Sequence, residues 1–419
     1  MRIETGTSFL DPRRPARLAA ARALLYALLG AIENKRAVLI HGIPPCFMPD
    51  AREHLRPGAD GRPAPFCGSC RFAGLCPGPP PGSDAAGEAA LRAWLTPIPD
   101  HLEEVAIETT GFCNLRCTVC VFGGSRRVQP SADELRRVID EAAGAGVKTV
   151  RFTGGEPLVR ADIYSLLDYA KESGLAVFLN TNGVLLGRRA LARLERLADS
   201  VLVSVQGCDA ETEERLTGGG RRFAAKLDNL RNLAGSKVPD VRVNTIVSRT
   251  LLSRREDYVS VLKRAGVTSW IPTRPLHAPA SAAGGEYGLT RAEFLDALRF
   301  LSGLAARGIR AQIGNAVPLC LDDVLDDGVL FAANPLAEGA SRLVYDCRGY
   351  YKPTYEIDVP LGRDLARARR HPFLRSLLSP QRLPPDCAGC VRLKDCLGGC
   401  RYMARQTGGD WTARDPLMR

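Results

Sequence analysis

The chain has 419 residues, 45% hydrophobic and 25% charged, with a net charge of +11. It is long enough for two or three domains with cores of their own, and its composition is that of a globular protein rather than a fibrous or disordered one. The positive balance comes from scattered arginines without long single-sign runs, so no specific nucleic-acid partner is expected. Fourteen cysteines in so long a chain point to metal thiolates rather than to a small secreted disulfide scaffold.

In chain order, the one candidate export segment is ALLYALLGAI at 23–32. It is too short to span a bilayer and no small-residue cleavage site follows it. It is read as a buried amphipathic helix starting near Pro15, and the protein as cytoplasmic with no membrane partner. Residues 1–78 form a unit of one helix and a cysteine-bearing loop region. A linker at 79–102 begins in the proline-rich run PGPPPGSDAAGE. From about His101 the texture changes. EEVAIETT reads as a strand, and SADELRRVIDEAAGAG as a helix with Ser131 as N-cap and Glu134 closing a capping box. VKTVRFTGG is a strand, ADIYSLLDYAKESG a helix ending at glycine, LAVFLNTNG a strand, RRALARLERLA a helix and DSVLVSVQG a strand. RRFAAKLDNLRNLAG is a helix, DVRVNTIVS a strand, SRREDYVSVLKRAG a helix and VTSWIPTRP a strand.

This alternation predicts an α/β fold with a parallel sheet and helices outside it, a partial (β/α)6 TIM-like barrel over 103–315. In such folds the chemistry sits at the C-terminal ends of the strands. Cys113 follows the first strand, Gly154 to Pro157 the second, and Asn180 to Gly183 the third. Ser204 and Gln206 close the fourth, and Arg274 and His277 follow the sixth. After residue 316 the alternation stops and cysteines return.

The loop TGFCNLRCTVCVFGG sets Cys113, Cys117 and Cys120 in an asymmetric C-x3-C-x2-C pattern. Two C-x2-C pairs would close a four-ligand zinc site, whereas three cysteines leave a metal position open. Thiolates suit iron–sulfur clusters, and in a four-iron cluster three thiolates leave one iron free. CNLRCTVC after a first strand, with TGGEP after a second, resembles the radical S-adenosylmethionine (SAM) superfamily over most of residues 103–315. The resemblance implies that the free iron chelates the amino and carboxylate groups of SAM. Reduction then breaks the sulfur–C5′ bond, and a 5′-deoxyadenosyl radical takes hydrogen from a substrate. It implies that the backbone around Gly154, Gly155 and Glu156 receives the methionine ammonium, with Pro157 stiffening the turn. It places Asn182, Ser204 and Arg215 against the methionine or ribose, an arginine fork suiting the carboxylate. Two departures stand out. Val119 occupies a usually aromatic position, and Gln206 replaces a carboxylate common in relatives, which removes an acidic base there. A structural three-thiolate metal site is the alternative, and it leaves TGGEP unexplained.

CAGCVRLKDCLGGC places Cys387, Cys390, Cys396 and Cys400 in a C-x2-C-x5-C-x3-C pattern. This resembles the SPASM domain, which carries auxiliary iron–sulfur clusters, and a domain of that type is expected over 316–419. The resemblance groups Cys320, Cys347 and Cys400 on one cluster and Cys387, Cys390 and Cys396 on a second. The family's last cysteine is missing after Cys400. The second cluster therefore has an open iron, a non-cysteine ligand or a ligand from elsewhere; a single four-cysteine zinc site is the alternative. CGSCRFAGLC repeats the C-x2-C-x5-C spacing at Cys67, Cys70 and Cys76, and Cys46 adds a fourth thiol. This reads as a further iron–sulfur site for electron entry or closure of the barrel end. A zinc knuckle, or one thiolate lent to the carboxy-terminal cluster, are the alternatives. The fourteenth cysteine, Cys208, lies at the barrel mouth, either as a hydrogen-atom donor or as an inert residue in a helix-entry turn. Arg274 and His277 are candidate substrate contacts.

The chain is thus identified as a radical SAM enzyme with one to three auxiliary 4Fe–4S clusters, taking electrons from a flavodoxin- or ferredoxin-type donor. The expected substrate is a ribosomally made peptide, modified by crosslink, thioether, dehydrogenation or decarboxylation. The alternatives are a dehydrogenase or epimerase of a sugar, aminocyclitol or cofactor precursor, and a multi-cluster electron-transfer protein without turnover.

Overall fold

The structure, a computed structural model, describes residues 102–120, 128–276, 285–321, 339, 341–377, 383–387 and 396–418, with four short strands besides, Arg2–Glu4, Leu39–His41, Leu55–Arg56 and Leu330–Phe331. The first three of these strands pair in parallel as a small sheet. The helix and cysteines expected before the barrel, Cys46, Cys67, Cys70 and Cys76, lie outside the described residues.

The main sheet is built from β1 (Glu104–Glu108), β2 (Thr149–Thr153), β3 (Ala176–Thr181), β4 (Ser200–Ser204), β5 (Asp240–Ile246), β6 (Ser269–Thr273) and β7 (Arg310–Ile313). Three more strands follow, β8 (Leu330–Phe331), β9 (Arg342–Tyr345) and β10 (Tyr351–Lys352). Their spatial order is β8-β7-β6-β5-β4-β3-β2-β1-β9-β10, parallel throughout except for the β9–β10 hairpin. The sheet has two edges, so the barrel is partial. It runs past the six strands expected: the cysteine-rich region adds β9 beside β1, with Ala106 opposite Val344.

The strands alternate with period two. Val105, Ile107, Val150, Phe152, Val177, Leu179, Val201, Val203 and Val243 face the helices and form the core. Arg151, Thr153, Asn180, Ser204, Arg242, Asn244 and Thr273 face inward on a central cavity. A parallel sheet covered by helices on its outer face usually fills its inner face with apolar side chains. Here that face is polar, so it is a site and not a core.

The helices are α1 (Ala132–Gly144), α2 (Ile163–Glu172), α3 (Arg188–Leu197), α4 (Ala210–Thr217), α5 (Phe223–Ala234), α6 (Arg249–Ser253), α7 (Arg255–Ala265) and α8 (Arg291–Ser302). They bury helix-spaced stripes, for example Leu135, Val138, Ile139 and Ala142 on α1. Ser131 caps α1 as expected, accepting from Glu134 N at 3.1 Å. The reciprocal half of the capping box is not made, because Glu134 instead accepts from the Tyr345 hydroxyl at 2.6 Å and ties α1 to β9. Complete boxes stand at α4, Asp209 with Thr212, and at α8, Thr290 with Glu293.

The cysteine-rich region adds α9 (Leu365–Arg369), α10 (Pro372–Leu377) and α11 (Arg401–Gly408). It packs on the barrel and on its own hairpin. On one side Arg274, after β6, is bidentate to Asp415 at 2.8 and 2.8 Å. On the other, Ile357 beyond β10 packs with Leu377 and Trp411. Among the described residues no helix is long and apolar enough to cross a membrane.

Candidate functional site

The cysteine loop leaves β1 and is fixed by the turn that follows β2. Gly155 N donates to Thr110 O at 2.7 Å and Glu156 N to Phe112 O at 2.8 Å. The approach is so close that a Cβ on Gly155 would lie 2.1 Å from Phe112 O, and one on Gly154 2.5 Å from Thr110 O. Gly154 also holds φ at +129°, which side chains disfavour. This is why two glycines precede Glu156. The N–H groups of Gly155 and Glu156 hold the cysteine loop, so the carbonyl side of the turn is what remains to accept from an ammonium.

Two buried carboxylates then clamp successive turns. Glu156 accepts from Leu158 N at 3.0 Å, Thr181 Oγ1 at 2.8 Å and Asn182 N at 2.7 Å, joining the β2 turn to the end of β3. Burial pushes its pKa up, against these three hydrogen bonds. Glu213 on α4 accepts from Gly207 N at 2.7 Å and Gln206 N at 3.2 Å, fixing the β4 turn, and is paired with the buried Lys226 at 2.6 Å.

Cys113, Cys117, Cys120, Gly154, Gly155, Asn182, Ser204, Gln206 and Arg274 all line one cavity of about 980 Å³. Asn182 Nδ2 donates to Asn114 Oδ1 at 2.6 Å and lies 3.8 Å from Cys113 Sγ. Burial, then the neighbouring Cys120 and Cys113, pushes the Cys117 thiol up to about 12. Three thiols held this way repel one another as thiolates, and cations between them relieve the repulsion. Among the described residues no three Cys, His, Asp or Glu side chains close on a single metal ion. A cluster asks for something different, each thiolate on its own iron, so the donor set fits the 4Fe–4S group that the sequence implies.

Residues 107–269 match the family model for the Radical SAM superfamily. An AdoMet-dependent heme synthase of Methanosarcina barkeri is 31% identical over 336 residues, covering 74% of this chain and 95% of that one. The chain belongs to the radical SAM superfamily. A PqqA peptide cyclase of Rhodopseudomonas palustris is 29% identical over 336 residues, covering 74% of this chain and 85% of that one. Streptococcus suis SuiB bound to its precursor peptide SuiA shares the fold, with a TM-score of 0.60 at 16% identity over 80% of this chain and 79% of that one. Like other radical SAM enzymes, this one uses a SAM-binding 4Fe–4S cluster.

The expected site residues of this radical SAM enzyme divide between the cavity and its supports. Glu156 and Pro157 do not line the cavity: Glu156 is spent as the clamp, and Pro157 opens the short 3-10 turn Pro157–Val159 that Glu156 caps. Arg215 is also outside the lining, paired with Glu286 at 2.6 Å and bonded to Thr250. Cys208 packs in the hydrophobic core beneath the start of α4, its amide bonded to Thr212 Oγ1 at 3.0 Å, and is not among the residues that line the cavity. Arg274 does reach the cavity, but its guanidinium is held by Asp415, whose Oδ2 also accepts from Cys400 N at 2.7 Å. It clasps the barrel to the cysteine-rich region. Gln206 borders the cavity with its Oε1 accepting from Ile246 N at 2.9 Å. His277 and Cys390 lie outside the described residues.

Of the carboxy-terminal cysteines, Cys347 sits buried in the β9–β10 hairpin, its amide donating to Glu108 Oε2 at 3.3 Å. Glu108 is itself buried and paired with Lys352 at 2.7 Å. Cys396 accepts from Leu319 N at 3.2 Å and lies within electrostatic reach of Cys320. The grouping implied by the family separates those two, whereas the fold brings Cys396 onto the Cys320 loop. Cys387 and Cys400 are buried in the same region.

Sequence reasoning missed Asn114, Arg116, Lys226, Asn244 and Tyr355, all at the cavity. One signal was available for Lys226. It falls on the apolar stripe of its helix with Phe223, Leu230 and Leu233, and a cation on a buried face needs a partner.

Proposed function

We propose that this radical SAM enzyme modifies a peptide, with SAM at the cysteine loop and the reacting peptide segment in the cavity beside it. The observation that carries the reading is the cavity itself. At about 980 Å³ it extends from Cys113 on one side to Pro353–Glu356 on the other, at the upper end of the size that small-ligand sites reach. That leaves room for a substrate segment next to the cofactor. Similarity to a peptide cyclase and the fold shared with a peptide-bound enzyme support it. Similarity to a heme synthase favours a second reading, a small-molecule substrate.

In this reading Cys113, Cys117 and Cys120 hold the cluster, which supplies the electron that cleaves SAM and so the radical that takes the substrate hydrogen. Gly154 and Gly155 present the turn that meets the methionine ammonium, and Asn182 and Ser204 border the same space. Glu156 and Glu213 position these turns from behind. Cys320, Cys347, Cys387, Cys390, Cys396 and Cys400 carry auxiliary clusters, and Cys46, Cys67, Cys70 and Cys76 a further site. A flavodoxin or ferredoxin in the cytoplasm supplies electrons.

The test is anaerobic formation of 5′-deoxyadenosine by the reconstituted protein, with a short peptide encoded beside its gene and, separately, with a porphyrin or sugar. Stimulation by the peptide together with a change in its mass is expected, and Cys113→Ala should abolish both. Stimulation by the small molecule alone overturns the peptide reading, and SAM cleavage retained by Cys113→Ala overturns the cluster assignment.

A further inference from the structure

The inner wall near the N-terminal ends of the strands carries three arginines, and one carboxylate of the same lining, Glu356, follows Tyr355 in the chain. Arg151 on β2, Arg242 on β5 and Arg342 on β9 line the cavity there. Their acidic partners are Glu104 and Asp240, the first residues of β1 and β5. Arg151 is fully engaged: it donates to Glu104 at 2.8 and 2.7 Å and to Asn180 Oδ1 at 3.2 Å. The other two are not. Arg342 meets Glu104 only through Nε, at 2.8 Å, and its two terminal nitrogens have no acceptor among the described residues. Arg242 meets Asp240 through Nε at 2.8 Å and Ser200 Oγ through Nη2 at 2.7 Å, leaving Nη1.

Three further observations point the same way. The Tyr355 hydroxyl is buried with no hydrogen-bond partner, a state proteins avoid unless something else fills it. Tyr355 borders the same cavity; burial acts on it most, then the guanidiniums of Arg342 and Arg151, and after them the carboxylates of Glu104 and Glu108. The guanidiniums of Arg151 and Arg242 both lie over the Phe178 ring, at 5.0 and 5.5 Å from its centroid, so the cations are placed and not loose. Burial, and after it the repulsion from Arg151, pulls the Arg242 pKa down against the attraction of Asp240 and Glu104.

We propose that this end of the cavity is a carboxylate subsite for the substrate. Arg342 receives the carboxylate on its two terminal nitrogens, the Tyr355 hydroxyl donates a third hydrogen bond, and Arg242 supplies the second positive charge. The inference rests on the cavity's being the substrate site, and under the peptide reading it assigns an acidic side chain or a chain terminus to the bound segment.

The test is a binding measurement that needs no turnover. The reconstituted protein, saturated with SAM so that the cofactor's own carboxylate is already accommodated, is titrated with three probes. N-acetylglutamate α-amide carries a side-chain carboxylate, N-acetylglutamine a terminal one, and N-acetylglutamine amide none. Thermal stabilisation by one or both acids over the neutral amide is expected, and which acid does so identifies the source. Arg342→Gln should remove that difference. Tyr355→Phe should weaken the favoured acid about tenfold, the equivalent of one charge-assisted hydrogen bond. Without a probe, Tyr355→Phe should unfold at or above the wild-type temperature, because it deletes an unpaired hydroxyl. Equal effects of acids and amide on the wild type, or an acid preference that survives Arg342→Gln, overturn the subsite. Neither result touches SAM cleavage, which the Cys113 experiment tests separately.

Discussion

Gly155→Ala is the sharpest probe of how the site is assembled. The new Cβ would sit 2.1 Å from Phe112 O, 2.6 Å from Phe112 C and 3.1 Å from Gly111 C, all backbone atoms that no rotamer change can move. Reaching ordinary contact pushes the β2 turn and the cysteine loop apart by more than 1 Å. That movement breaks the Gly155–Thr110 and Glu156–Phe112 hydrogen bonds, worth about 1 kcal/mol each, and adds about 1–3 kcal/mol of overpacking strain. The sum is about 3–5 kcal/mol, a fall of roughly 10 °C in Tm for a domain of this size. The same displacement separates Cys113 from the Gly154 turn, and a misplacement near 1 Å costs on the order of 100-fold in rate. Calorimetry, SAM titration and 5′-deoxyadenosine formation read the three consequences. Gly144→Ala is the control: it ends α1, has no atom within 4 Å of the added carbon and should gain or lose no more than about 1 kcal/mol. A Gly155→Ala protein with wild-type Tm and SAM affinity would refute the docking of the turn on the loop.

Asp415→Ala should destabilise by about 3–5 kcal/mol, because Arg274 is buried and loses its bidentate partner, and should reduce iron in the carboxy-terminal region while the Cys113 cluster persists. Tm and iron per chain check this. Burial raises the Glu104 pKa, but Arg151 and Arg342 outweigh it and hold the group at about 2. A depressed folded pKa adds stability above the unfolded value of about 4.5, so Glu104→Gln should cost roughly 3 kcal/mol at neutral pH. The gap from wild type should close as pH falls from about 4.5 toward 2, as denaturant titrations at each pH would read. Cys208→Ala should leave products and deuterium incorporation unchanged, with a small loss of stability from the core; an altered product ratio would return the thiol to the reaction.

What could be read without the structure is local. Strands and helices of the barrel announce themselves through periods of two and 3.6, and the cysteine and TGGEP turns fall where strand ends must be. The carboxy-terminal β9 was not legible, because RLVY is four residues long and its partner β1 is more than 200 residues away in sequence. Glu134 shows the same limit on a smaller scale: the helix-start pattern allowed a capping box, and a tyrosine from β9 took the carboxylate instead.

The sequence by itself determined the alternating fold, the three-thiol loop and the glycine turn, since each is specified by residues close together in the chain. Only the tertiary structure decided what the charged residues do. Glu156 became a clamp, Arg215 a partner of Glu286, and Arg274 a clasp for Asp415, 141 residues away. The physical reason is that a buried charge must find an opposite charge or a donor, and which one it finds depends on which strands become neighbours.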